Sequence, residues 1–155
     1  MLSEHSISES LSSVKRMTRL RAFLEMIKFE HTVFALPFAY LGMILAAGGW
    51  PTWPQFGWIT LAMAAARTLG MSANRVFDRA LDARNPRTAA RPLLTGRISL
   101  PTALAGMGIS GLVLAFSAYR LGPLPFALLP GAIFFLIGYS FTKRFTWLSH
   151  FVLGV

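Results

Sequence analysis

Of the 155 residues, 54% are hydrophobic and only 14% are charged. An ordinary soluble domain carries about 25% charged residues, so much of this chain is suited to lipid rather than water. Lys and Arg outnumber Asp and Glu by 15 to 6, for a formal net charge of +9. These cations lie between long uncharged runs, which fits anionic headgroups or a phosphorylated ligand and excludes nucleic acid as the expected partner. The chain has no cysteine, which excludes disulfides, thiolate catalysis and Cys-ligated metal. Its three histidines, His5, His31 and His150, are too scattered for a zinc cluster.

Residues 1–31 read as a cytoplasmic N-terminal segment. Leu20, Phe23, Leu24 and Ile27 recur at helical spacing among Arg21, Glu25 and Lys28, the pattern of an amphipathic helix lying in the membrane interface. Glu4, Glu9, Glu25 and Glu30 before the first apolar run argue against a cleaved signal peptide.

Residues 32–155 read as a transmembrane domain. Thr32–Gly49, Ile98–Tyr119 and Leu121–Thr142 hold no charged residue, and Phe56–Asn74 holds only Arg67. A spanning helix needs about 20 apolar residues, so the expected fold is an all-α polytopic transmembrane helix bundle with four complete spans. A last run, Phe145–Val155, would reach only about 17 Å as a helix and reads as a truncated fifth span. Pro37 and Pro130 lie inside spans, where neighbouring helices satisfy the freed carbonyls. Trp50-Pro51-Thr52-Trp53-Pro54 makes an interfacial connector, and Gly122-Pro123 breaks the third span from the fourth. Gly106, Ser110 and Gly111 form a small-residue stripe for close helix packing.

Alternation of four spans sets the sides. Lys15, Arg16, Arg19, Arg21 and Lys28 fall on one side, with Arg75, Arg79, Arg84, Arg87, Arg91 and Arg97, and then Lys143 and Arg144; only Arg120 falls on the other. The positive-inside rule makes the crowded side cytoplasmic. The chain is therefore expected to be a multi-pass protein of a bacterial inner membrane, with its N-terminus and Arg-rich loop in the cytoplasm.

The stretch from Arg67 to Pro92, RTLGMSANRVFDRALDARNPRTAARP, carries the chemistry. Asn74, Asp78 and Asp82 are spaced four apart, which puts them along one helical face with about 6 Å of rise between neighbours. Mg²⁺ prefers oxygen ligands and takes one or two carboxylates, with substrate phosphate and water completing its shell. The arginines around these carboxylates match phosphate oxygens with a fork of donors. Surface ion pairs of Asp78 with Arg79, and of Asp82 with Arg75 or Arg79, are the competing reading of the same residues. Asn85-Pro86 is expected to end the helix, leaving Arg87–Pro92 as a loop over the site. Arg67 lies seven residues before Asn74 on the same face, where a charge inside the membrane is costly and usually functional. Tyr139 and Lys143 sit four apart at the cytoplasmic end of the fourth span. They can be read as an aromatic face with a point charge, or as a belt tyrosine beside a positive-inside lysine.

With these residues in place, the sequence resembles the UbiA-type family of intramembrane aromatic prenyltransferases. The resemblance is carried by Asn74, Asp78 and Asp82, by NPRTAARPLLTG from Asn85 to Gly96, by Tyr139-Ser-Phe-Thr-Lys143-Arg144, and by KFEHTVFALPFAYLG from Lys28 to Gly42. It implies the first half of a bundle of about nine helices. It also implies transfer of a polyprenyl group from its diphosphate to an aromatic acid such as 4-hydroxybenzoate, on the way to ubiquinone. Asn74, Asp78 and Asp82 would hold the diphosphate through Mg²⁺. Arg67, Asn74, Arg75, Arg87 and Arg91 would bind substrate, and Asp78, Asp82, Tyr139 and Lys143 would act in catalysis. The Lys28–Gly42 segment also resembles relatives that prenylate a dihydroxynaphthoate for menaquinone, which keeps a second acceptor open. The family carries a second Asp-rich motif, whereas no Asp or Glu follows Asp82 here. The expectation is that residues 1–155 alone are inactive and need a C-terminal half or a partner chain. The other two readings are an inactive membrane fragment that binds lipid or a partner, and a small ion-conducting bundle.

Overall fold

The computed structural model describes Thr18 and residues 20–145, with side chains described through Gly138. Among the described residues every regular element is a helix. In chain order these are α1 (20–26), α2 (Phe29–Ala47), α3 (Trp53–Phe77), α4 (Arg79–Arg84), α5 (Leu100–Leu121) and α6 (Pro123–Phe145). Two of them, α2 and α5, are long and apolar enough to cross a membrane, and Pro123–Gly138 of α6 is a shorter apolar helix.

The helix ends follow from local chemistry. Lys28 adopts a left-handed conformation (φ 50°) that turns the chain between α1 and α2. Thr52 caps α3 in a capping box: its hydroxyl accepts from the Gln55 N–H, and the Gln55 side chain accepts from the Thr52 N–H at 2.9 Å. This satisfies two donors that a helix start leaves bare. Ser99 caps α5 through the Thr102 N–H at 3.3 Å. Gly122 ends α5 at φ 124°, ψ 179°, a conformation open essentially to glycine alone, so α6 can start at the very next residue.

α3 and α5 form the central pair. Ala65, Leu69, Ser72 and Ala73 of α3 are buried, as are Ala103, Ser110, Leu114, Ser117 and Ala118 of α5. These are mostly small residues, which let two backbones approach closely where lipid offers no hydrophobic drive. The hydroxyls of Ser110 and Ser117 return to the carbonyls of Gly106 and Val113 at 2.7 and 2.8 Å, so neither is left bare in the interface. α6 adds Leu129, Ile133 and Leu136 to the Ala65–Leu69–Leu114 cluster. α2 meets α3 through the Tyr40–Thr60 hydroxyl contact (3.1 Å) and the stacked rings of Tyr40 and Phe56. The outward faces of α2, α5 and α6 expose Phe34, Phe38, Leu45, Leu112 and Phe134, as expected for helices bathed in hydrocarbon.

Two expectations are corrected here. The buried face of α1 is Ala22, Met26 and Ile27, with Phe23 and Leu24 partly buried, while Leu20 is 60% exposed. The face is turned because α1 packs against protein, namely Leu93, Ile98 and Ala103. In the small-residue stripe, Gly106 is in close contact and Ser110 is buried, but a Cβ added at Gly111 would meet nothing within 4 Å. The expected fifth run, Phe145–Val155, lies beyond the described side chains and, past Phe145, outside the described residues.

Candidate functional site

The long α3 brings Asn74 to the end of the bundle that also holds α1 and the 85–99 connection. At Asp78 the backbone leaves regular helical geometry (φ −83°, ψ 1°), separating α3 from α4. The hydrogen-bond register survives the break. The Asp78 N–H donates to the Asn74 carbonyl at 3.0 Å, and the Asp82 N–H to the Asp78 carbonyl at 2.8 Å. The backbone thus links Asn74, Asp78 and Asp82 in successive turns.

Asn85 caps α4 in an extended conformation (φ −106°, ψ 116°), as the following proline requires. Its side-chain oxygen accepts from the Arg87 N–H at 3.0 Å, and its carbonyl accepts from the N–H groups of Thr88 and Ala89. The chain thus folds back on α4. Thr88, buried, locks the return: its hydroxyl donates to the Asp82 carbonyl at 2.8 Å. The returning loop delivers Arg91, whose Nη1 bonds Oδ2 of Asp82. Asp82 thus pairs with an arginine from the loop, a partner that the competing ion-pair reading, with Arg75 or Arg79, did not include.

The remaining predicted residues are distributed as follows. Asp78 is buried at 4% exposure, and Arg75 is buried at 7%. Arg75 lies within electrostatic range of Arg91, Asp82 and Asp78, but its Nε–H donates to the Met26 carbonyl of α1 at 3.5 Å. Arg67 lies seven residues deeper on α3, with its Nε buried and without a hydrogen-bond partner. Arg87 is exposed on the turn. The side chains of Tyr139 and Lys143 lie outside the described residues, although both positions fall on α6. Asp78, Asp82 and Arg91 thus lie within electrostatic range of Arg75, the neighbour of Asn74, at one end of the bundle.

Sequence spacing did not reveal Thr88 as the lock of this loop. Its signal was its place three residues after Asn85, where a hydroxyl can turn back to a nearby carbonyl. Nothing in the sequence flagged Glu25, which bonds Arg97 across the fold (Oε2–Nη2 2.9 Å, Oε1–Nη1 3.2 Å).

Two carboxylates and an amide on one edge suit an oxygen-preferring cation such as Mg²⁺. Among the described residues, no group of three or more His, Asp or Glu could enclose a metal ion. Arg91 beside Asp82 supplies a guanidinium, a group suited to phosphate oxygens.

Comparison with known proteins addresses the chain as a whole. The sequence pattern of the UbiA prenyltransferase family matches residues 35–155. A 4-hydroxybenzoate octaprenyltransferase of Shewanella woodyi is 31% identical over 140 residues, covering 88% of this chain and 49% of that protein. The protein of the same name from Paracidovorax citrulli is 33% identical over 148 residues, covering 89% and 48%. The apo structure of a UbiA homolog from Aeropyrum pernix superposes with a TM-score of 0.75 at 36% identity, covering 81% of this chain and 45% of that one. The chain spans about half the length of the curated relatives it matches.

Proposed function

The chain belongs to the UbiA prenyltransferase family, and on that premise we propose that it serves in transfer of a polyprenyl group from its diphosphate to 4-hydroxybenzoate for ubiquinone synthesis. The observation that carries this reading is the convergence of Arg91 on Asp82, on the edge shared with Asp78 and Asn74. Asn74, Asp78 and Asp82 would hold Mg²⁺ and, through it, the diphosphate. When bound, the ion would neutralise charge on the leaving diphosphate as the allylic C–O bond breaks. Arg91 adds a fork of donors beside it and draws on Asp82 for its position in the absence of ligand. Tyr139 and Lys143 belong to this reading as groups that steady the allylic cation and the departing charge. In this reading Arg67 pairs with a carboxylate or with the diphosphate. Its orphaned Nε supports that role, since a buried donor left bare is costly.

The reading also takes residues 1–31 as a cytoplasmic segment and residues 32–155 as the membrane domain. α2, α3, α5 and α6 are its four spans, with the Arg-rich loop facing the cytoplasm of a bacterial inner membrane. A low-water cavity within the bilayer protects the cation from hydrolysis until the electron-rich ring attacks.

The test presents the native membrane protein containing this chain with polyprenyl diphosphate, MgCl₂ and either acceptor. Ring-prenylated 4-hydroxybenzoate is the expected product. Product from a dihydroxynaphthoate alone would assign the chain to menaquinone synthesis, the reading that Lys28–Gly42 favours. No product from either would overturn the proposal.

A further inference from the structure

We propose that α1 is a positioning element of this site: it holds the 91–98 segment in place so that Arg91 stays on Asp82, and Arg75 fastens this strut rather than contacting the diphosphate. The inference rests on the reading that a diphosphate sits at Asn74, Asp78 and Asp82.

Four separate contacts tie α1 to the segment and its surroundings. Ala22, Met26 and Ile27 form one buried cluster with Leu93, Ile98 and Ala103. The Phe23 ring lies so close to Gly106 that a Cβ there would stand 2.6 Å from it. Glu25 grips Arg97 with both carboxylate oxygens. The N–H groups of Ile27 and Lys28 satisfy the carbonyls of Phe23 and Glu25, but the left-handed turn at Lys28 interrupts the ladder beyond them, and the Met26 carbonyl takes a partner from elsewhere. Arg75 supplies one, through its bond to Met26.

The segment transmits this grip. The N–H groups of Leu94 and Thr95 both donate to the Arg91 carbonyl, at 2.9 and 3.0 Å, and the Ile98 N–H donates to the Pro92 carbonyl at 3.1 Å. The Arg91 backbone is thereby tied into the same turns as Leu93 and Ile98, the two residues that α1 buries. Arg75 is positioned for a different task from the one its place beside Asn74 suggests. It is 7% exposed, with its Nε–H directed at α1, and its charge still acts on Asp78 and Asp82 through space.

The experiment is hydrogen exchange on the native membrane protein containing this chain in lipid nanodiscs, paired with equilibrium binding of geranyl diphosphate in MgCl₂. The variants are Arg75→Met, Gly106→Leu and the mild surface change Glu25→Gln. Arg75→Met and Gly106→Leu are expected to speed exchange at Leu94, Thr95 and Ile98 by about tenfold. Amides at the centre of α5, such as Leu114, should remain at wild-type rates, which shows that the bundle is folded. Both variants should weaken geranyl diphosphate binding to a similar degree, although Gly106 touches no ligand. Glu25→Gln is expected to give about a twofold change in the same direction, the scale of an exposed ion pair. Weaker binding in Arg75→Met with unchanged exchange would make Arg75 a direct ligand contact and overturn the proposal. Unchanged exchange in Gly106→Leu would also overturn it, because α1 would not be holding the segment. If wild type fails to bind geranyl diphosphate, the functional reading fails on its own, while the exchange rates still decide the strut.

Discussion

Two glycines of one helix, Gly106 and Gly111, offer a test of packing in which the backbone effects cancel. In the interior of α5, replacing glycine by alanine gains about 1 kcal/mol of helix propensity at either position. At Gly111 the added methyl would meet nothing within 4 Å. At Gly106 the methyl would lie 2.6 and 2.7 Å from Cε2 and Cζ of Phe23, about 1 Å inside the optimal carbon–carbon separation. The ring is packed against the cluster of Ala22, Met26 and Ile27, so relieving the overlap means shifting α1 or forcing an off-rotamer side chain. Overpacking of this kind costs about 1–3 kcal/mol. Gly106→Ala should therefore be less stable than Gly111→Ala by about that amount, with Gly111→Ala at or slightly above wild type. One kcal/mol moves the melting temperature by about 2–4 °C in a chain of this size, so thermal unfolding followed by circular dichroism in detergent resolves the difference. Gly106→Ala melting as high as Gly111→Ala would show that Phe23 does not pack on α5 as described.

Three further substitutions probe the helix ends and contacts. Thr52→Ala removes the capping box of α3 and is expected to cost about 1 kcal/mol, read as a melting temperature about 2–4 °C lower. Tyr40→Phe deletes the hydroxyl contact to Thr60 but keeps the ring stack on Phe56, so a loss of only about 0.6 kcal/mol is expected by the same thermal assay. Arg120 lies 5.3 Å from the Trp58 ring centroid. Arg120→Ala should cost about 0.5–1 kcal/mol and alter Trp58 fluorescence, whereas Arg120→Lys should retain part of both.

Much of this architecture is legible in the chain because charge is so costly in lipid. The charge-free runs locate α2, α5 and α6, and Gly122-Pro123 marks the turn between the last two. The i, i+4, i+8 spacing predicts a shared edge for Asn74, Asp78 and Asp82, and the backbone hydrogen bonds link the same three residues through the break at Asp78. Contacts made across the fold are the ones the sequence does not reveal. The pairing of Arg91 with Asp82 depends on a loop reversal locked by Thr88. The inward turn of Arg75 depends on where α1 ends. Leu20 and Met26 are both apolar at helical spacings, so only the neighbour that α1 packs against decides which of them is buried.

The most direct test of the central claim, that the Asp78–Asp82 edge binds a diphosphate through Mg²⁺, is a binding titration. Geranyl diphosphate would be titrated onto the native membrane protein containing this chain in nanodiscs, in MgCl₂ or in EDTA, for wild type and Asp82→Asn. A lost charge-assisted contact is worth about 1.5–3 kcal/mol, roughly 10- to 150-fold in affinity. Wild type should lose at least about tenfold in EDTA. Asp82→Asn should sit near that weakened level even with MgCl₂ and respond little to EDTA. Wild-type affinity in Asp82→Asn, or binding of equal strength with and without Mg²⁺, would contradict the account.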